Sequence, residues 1–265
     1  MRIAHLSDLH VLDPRSDQGL GVRFVSLGRP IDAGERRKKV LRAFERAKAA
    51  SVSHFVVSGD LTETGTEAQY EVFADILAEA RIDPDRITLV PGNHDLYARE
   101  NAWREALDGP LRSYRRGAAE GPGKIVDLGA VRIAPMDVTV HQKVTRSIGA
   151  VSTEVADGLA RRLADPGLAK TPLLLVQHHP PYAHSNAVHQ WFDGLRDSAR
   201  VFRLLLLHAH AFLMHGHLHS AGDRALRTEQ DVRIFGAPAV VDDTDGPRVR
   251  LYEVRCGVVE AAGFA

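Results

Sequence analysis

Five short apolar runs in this chain each end on a cluster of metal-ligand side chains. That pattern restricts the fold more than any other feature. The clusters are Asp8-Leu9-His10, Gly59-Asp60, Gly92-Asn93-His94-Asp95, His178-His179-Pro180 and Gly216-His217-Leu218-His219. Each preceding run reads as a strand, and strands of one sheet place their ends side by side. Residues far apart in the chain can therefore converge on one site.

The spacing of apolar residues predicts strands at Ile3 to Leu6, His54 to Val57, Ile87 to Val90, Leu173 to Val176 and Ala211 to Met214. Helices are predicted at Glu35 to Ala50, Thr66 to Ala80, Arg99 to Leu107, Ser152 to Leu163 and Asp197 to His208, with Thr66 and Ser152 as caps. Ile125 to Leu128 and Val131 to Met136 read as a hairpin turning at Gly129. A long loop rich in Gly, Asp, Arg and Pro follows the first cluster. The tail, Val232 to Phe235, Arg248 to Val254 and Val258 to Ala262, alternates like antiparallel strands. Strands alternating with helices, then a β-rich tail, predict an α/β sandwich of sheets covered by helices.

Composition narrows the partners. The 265 residues suffice for one α/β domain, 1–265, and no linker interrupts them. The 34 basic and 34 acidic residues cancel. No global charge therefore favours nucleic acid or an anionic membrane. The basic run Arg36-Arg37-Lys38-Lys39 reads as a solvated first turn of a helix. Cys256 is the single cysteine, which rules out an intrachain disulfide. No signal-length or membrane-spanning apolar stretch is present, and a cytoplasmic location is expected.

The clusters carry the chemistry. Oxygen donors mixed with imidazoles suit Mn, Fe, Co or Zn, and the set is large enough for two divalent ions. Such a set reads as a two-metal hydrolase of phosphate esters. Asp8 and His10 lie two apart, as do His217 and His219; in extended backbone each pair points to one side. Asn93 offers a neutral oxygen and His94 a proton donor, while Asp95 is expected to orient His94 by hydrogen bonding. His178 and His179 end an all-apolar run. His215 reads as a core or supporting histidine.

In this order the motifs resemble those of the calcineurin-like metallophosphoesterase superfamily: Asp-x-His, Gly-Asp, Gly-Asn-His-(Asp/Glu), His and Gly-His-x-His. The resemblance runs from residue 5 to about 220. It implies a four-layer α/β/β/α sandwich of two mixed sheets flanked by helices. It implies one metal held by Asp8, His10, Asp60 and His219. A second would be held by Asp60, Asn93, His178 and His217, with Asp60 shared. His178 is preferred to His179 because it stands two before Pro180. A water bridging two cations roughly 3.5–4 Å apart would attack phosphorus in line. His94 would stabilise or protonate the leaving oxygen, worth about 10²–10⁴-fold, or else position the substrate.

The branch follows from one segment. Protein phosphatases of this superfamily carry Gly-Asp-x-x-Asp-Arg-Gly, whereas here the segment is Gly59-Asp60-Leu61-Thr62-Glu63-Thr64-Gly65, without the arginine. Ser58-Gly59-Asp60-Leu61-Thr62 looks like the bacterial class III cyclic-nucleotide phosphodiesterases and glycerophosphodiesterases. A small-molecule phosphodiester is the expected substrate, with no stable nucleic-acid partner and a homodimer possible. A pyrophosphatase cleaving a UDP-diacylglucosamine, a nuclease and a non-catalytic scaffold are the alternatives. Specificity is expected in loops 13–30, 97–103, 138–149 and 182–196. Arg15 and Arg23 are candidates for reaching a substrate phosphate; the segment with Tyr182, His184, His189, Trp191 and Phe192 offers aromatics to stack on a base, hold an acyl chain or form a dimer contact.

Overall fold

A computed structural model describes the chain except residues 16–19, 27–28, 169–170, 183–185, 209, 228–230 and 245–247, and the side chains of Leu20, Leu226, Arg227 and Asp231. The elements run β1 (Arg2–Leu6), α1 (Leu20–Val25), α2 (Ala33–Ala49), β2 (His54–Ser58), α3 (Glu67–Glu79), β3 (Ile87–Val90) and α4 (Ala102–Asp108). They continue with β4 (Val126–Asp127), β5 (Arg132–Pro135), β6 (Gly149–Ala150), α5 (Thr153–Leu163), β7 (Leu173–Val176), α6 (Ala187–Asp193), β8 (Leu195–Arg196), α7 (Ser198–Leu206) and β9 (Ala211–His215). The last strands are β10 (Gly222–Arg227), β11 (Asp231–Gly236), β12 (Arg250–Arg255) and β13 (Val258–Phe264).

Two mixed sheets form, in the orders β13-β12-β1-β2-β3 and β10-β11-β9-β7-β5-β4, with β6 and β8 pairing separately. The centre of each is parallel and the outer strands β4, β10, β12 and β13 are antiparallel. Period-two alternation explains the layering. In β1 and β2, Ile3 and Val56 face the interior between the sheets, where Leu174, Val176, Phe212 and Met214 meet them. Their neighbours Leu6, Phe55 and Val57 face outward onto Val40 and Phe44 of α2 and Phe73 of α3. On the far side, Leu173 and Leu175 of β7 pack against Leu159 of α5 and Leu204 of α7. Both faces of each sheet are covered, giving the four-layer α/β/β/α sandwich.

The helix starts follow local chemistry. The side chains of Asp32, Thr66 and Ser152 each accept the backbone N–H three residues on. Other elements depart from expectation. The loop after β1 contains the short α1, and α6 begins at an Asn186 cap. The tail is divided between the sheets. β11 runs parallel to β9, whereas β12 crosses over to pair antiparallel with β1. No described helix is long and apolar enough to cross a membrane.

Candidate metal centre

The five clusters begin just beyond the C-terminal ends of β1, β2, β3, β7 and β9. Parallel strands put those ends on one edge of the sandwich, the usual location of a site in sheets of this kind. The backbone there leaves extended geometry. Asp8, His10, Asp60, His217 and His219 adopt left-handed φ values of 54°, 49°, 49°, 69° and 54°. Such conformations cost a non-glycine residue about 1–3 kcal/mol each and collect at functional sites. Two glycines permit the close approach. A Cβ at Gly92 would lie 2.2 Å from Asp60 Oδ1, and one at Gly59, with φ 101°, would lie 2.4 Å from His178 Nδ1.

Asp60 occupies the middle. Its Oδ2 lies 3.7 Å from His10 Nε2 and 3.3 Å from His178 Nε2. Its Oδ1 accepts the His94 backbone N–H at 2.9 Å. On one side of it, Asp8 Oδ1 is 3.4 Å from His219 Nε2. Ligand atoms of Asp8, His10 and His219 lie within 4.8 Å of one another, as do those of Asp8, Asp60 and His178, and those of His10, Asp60 and His94. His217 belongs to none of these groups; its ring lies 5.1 Å from that of His178.

The unpaired atoms test whether this set fits cations. Asp8 Oδ1, His10 Nε2, Asn93 Oδ1 and His178 Nε2 are buried without a hydrogen-bond partner. A buried polar atom left so costs about 1–3 kcal/mol, and bound cations would satisfy all four. Three of the other imidazole nitrogens are held from behind, which orients those rings. His178 Nδ1 donates to the Ser58 carbonyl at 2.7 Å, and His219 Nδ1 donates to Asp242 at 2.8 Å. His217 Nε2 donates to the Asp193 carboxylate at 2.9 Å. The electrostatics differ from ring to ring. Burial lowers the His10 pKa to about 4, despite the opposing Glu63 carboxylate, so His10 is a neutral donor. Burial raises the Asp60 carboxyl, but the imidazoles of His178, His94 and His10 outweigh it and hold Asp60 well below its ordinary value. At His178 burial opposes the charged form, yet Asp60 prevails and raises the ring to about 9. A cation taking His178 Nε2 therefore displaces a proton.

The family model for calcineurin-like phosphoesterases matches residues 1–221. The chain belongs to this family. A probable cyclic nucleotide phosphodiesterase of Rhodopseudomonas palustris is 30% identical to it over 162 residues, 60% of this chain. The match covers 54% of that relative's length. A dimetal phosphatase from Danio rerio superposes with a TM-score of 0.69 at 12% identity, covering 100% of this chain and 99% of that one. Purple acid phosphatase from yellow lupin, Lupinus luteus, gives 0.56 at 13% identity, over 95% of this chain and 49% of that one. At these identities the structures share the fold alone.

Against the calcineurin-like pattern, several sequence expectations need correction. Neither Asp8 with His10 nor His217 with His219 is an extended pair; Asp8 and His10 still converge with His219, whereas His217 and His219 part company. The left-handed turns send His219 toward Asp8 and His217 toward His178. Asp95 does not orient the His94 ring. Its carboxylate accepts the backbone N–H groups of Leu61, Thr62 and Gly92 and the Thr62 hydroxyl, at 2.7 to 3.1 Å, tying the Asp60 turn to the Gly92 turn. His94 Nδ1 instead donates to the Glu63 carbonyl at 2.8 Å, leaving Nε2 for other work. Arg36 is no solvated residue. It is 2% exposed, donates to the His10 and Pro30 carbonyls at 2.9 Å, and pairs with Glu63.

Glu63 is the main residue the sequence reading missed. It is buried, paired with Arg36 and Arg29, and its Oε2 lies 3.4 Å from His10 Nδ1. The signal was present, because Glu63 stands where Gly-Asp-x-x-Asp-Arg-Gly has its second acid. Of the expected specificity residues, Arg15 pairs with Asp13 at 3.1 Å and Tyr182 bonds His215 at 3.2 Å. Segment 138–149 packs against α6, with Ser147 N–H donating to the Phe192 carbonyl at 2.9 Å. His184 lies outside the described residues.

Proposed function

We propose that this chain is a dinuclear metal-dependent phosphodiesterase, and the position of Asp60 carries the reading. One carboxylate oxygen within 3.7 Å of an imidazole from each donor set is the arrangement a shared ligand needs. Asp8, His10, Asp60 and His219 would hold the first ion; Asp60, Asn93, His178 and His217 would hold the second. Ions bound there would supply an activated water and positive charge for the phosphoryl oxygens. The residues do the rest. His94, anchored through Nδ1, keeps Nε2 to protonate or stabilise the leaving oxygen. Glu63 fixes both the His94 ring, through its carbonyl, and the surroundings of His10, through its carboxylate.

A cyclic nucleotide or a glycerophosphodiester is the substrate class favoured. The missing arginine after Glu63 supports it, as does likeness to a probable cyclic nucleotide phosphodiesterase. A second reading, a nucleotide-lipid pyrophosphatase, has one observation in its favour. Val188, Trp191 and Phe192 are exposed on α6, whose last residue, Asp193, touches His217.

The test compares bis(p-nitrophenyl) phosphate with p-nitrophenyl phosphate, using metal-stripped protein with Mn²⁺ restored. Diester cleavage should exceed monoester cleavage, and His94→Ala should lower kcat by about 10²–10⁴-fold. Cyclic AMP, glycerophosphodiesters and a UDP-linked diacyl substrate then separate the two readings. No diester turnover with metal bound would refute the phosphodiesterase.

A further inference from the structure

Tyr97 and Asp193 belong to no ligand set, yet each holds one ligand of the proposed second ion. The Tyr97 hydroxyl donates to the Arg146 carbonyl at 3.2 Å. Its oxygen accepts from the Asn93 amide nitrogen at 2.8 Å. Asn93 Oδ1 is left as the buried, unpartnered atom.

His217 is held in a comparable way. Its Nε2 faces two acceptors, the Asp193 carboxylate at 2.9 Å and the Asp193 carbonyl at 3.1 Å. Nε2 must carry the proton, so Nδ1 is the nitrogen with a lone pair to give.

The two supports are joined. Arg146 donates to the Trp191 carbonyl at 3.1 Å, and its guanidinium lies 4.3 Å over the Trp191 ring. Gly149 N–H donates to the Gly194 carbonyl at 3.2 Å, and β6 pairs with β8. An unbroken polar arc therefore runs from Asn93 through Tyr97, Arg146 and α6 to Asp193 and His217. The corresponding partners of the first-ion histidines are Glu63 and Asp242, outside this arc.

We propose that Tyr97 and Asp193 are positioning residues that set the affinity for the second ion, leaving the first nearly untouched. The inference rests on the two-ion reading above. Loss of an outer hydrogen bond to a ligand typically costs about 10–100-fold in metal affinity.

The experiment titrates Mn²⁺ into metal-stripped wild type, Tyr97→Phe, Asp193→Ala and Asp193→Asn, reading stepwise affinities by calorimetry. The spin-coupled signal of a Mn pair gives an independent readout. In Tyr97→Phe and Asp193→Ala one and the same step should loosen by about 10–100-fold, with the other unchanged. Asp193→Asn keeps an acceptor oxygen and should recover part of the loss. Melting of the metal-free forms controls for folding. Equal weakening of both steps, or wild-type affinities in both variants, overturns the inference while the two-ion reading stands. A wild type that binds a single ion overturns both.

Discussion

At the scale of residues, a buried carboxylate underlies the candidate metal donors. Glu63 neutralises Arg36, which is itself 2% exposed and supports the His10 carbonyl. Removing one partner of a buried ion pair strands the other, at a cost of about 3–5 kcal/mol. Glu63→Ala should therefore lower unfolding free energy by about that amount in urea titrations of the metal-free protein. A change below about 1 kcal/mol, as for an exposed pair, would contradict this role. The candidate donors could be picked out in the sequence because each follows an apolar run. Their backbone could not, since a two-residue spacing suits an extended strand and a left-handed turn equally. Arg36 was misread because a basic run opening a helix carries no sign of a carboxylate folded beneath it from residue 63.

At the scale of elements, strand ends and the turns after them decide the geometry. Gly92 lets the β3 turn approach the β2 turn so closely that a methyl group would meet Asp60 Oδ1. Gly92→Ala should displace Asp60 and abolish tight metal uptake, while far-ultraviolet circular dichroism stays native. Unchanged Mn²⁺ affinity would show that the turn has slack. Strands β1, β2, β3, β7 and β9 were readable from apolar runs, and α3 and α5 from their caps. The strand β10, with the sequence Gly-Asp-Arg-Ala-Leu-Arg, is too polar to announce itself and lies at the outer edge of its sheet. Similarly, α6 is seven residues long and has no buried residue, so no amphipathic period marks it. Its role comes from Asp193 reaching His217, a tertiary contact absent from any local pattern.

At the scale of the molecule, the sandwich is a device for convergence. Two sheets packed face to face bring Asp8, Asp60 and Asn93 from one sheet against His178, His217 and His219 from the other. Alternation of strands and helices made the layers readable. The division of the tail did not show, because β11 and β12 have similar patterns and only the first pairs in parallel. The connection between them also serves the site: Val240 and Val241 donate to the Ser7 and Asp8 carbonyls, and Asp242 holds His219. The central claim is that these halves build two cation sites sharing Asp60. The most direct test is the metal content of wild type and Asp60→Ala after dialysis against Mn²⁺, by elemental analysis. Two ions per chain in wild type, with both sites weakened by the one substitution, is the predicted result. A wild type holding one ion or none, or an Asp60→Ala protein still holding two, would contradict it.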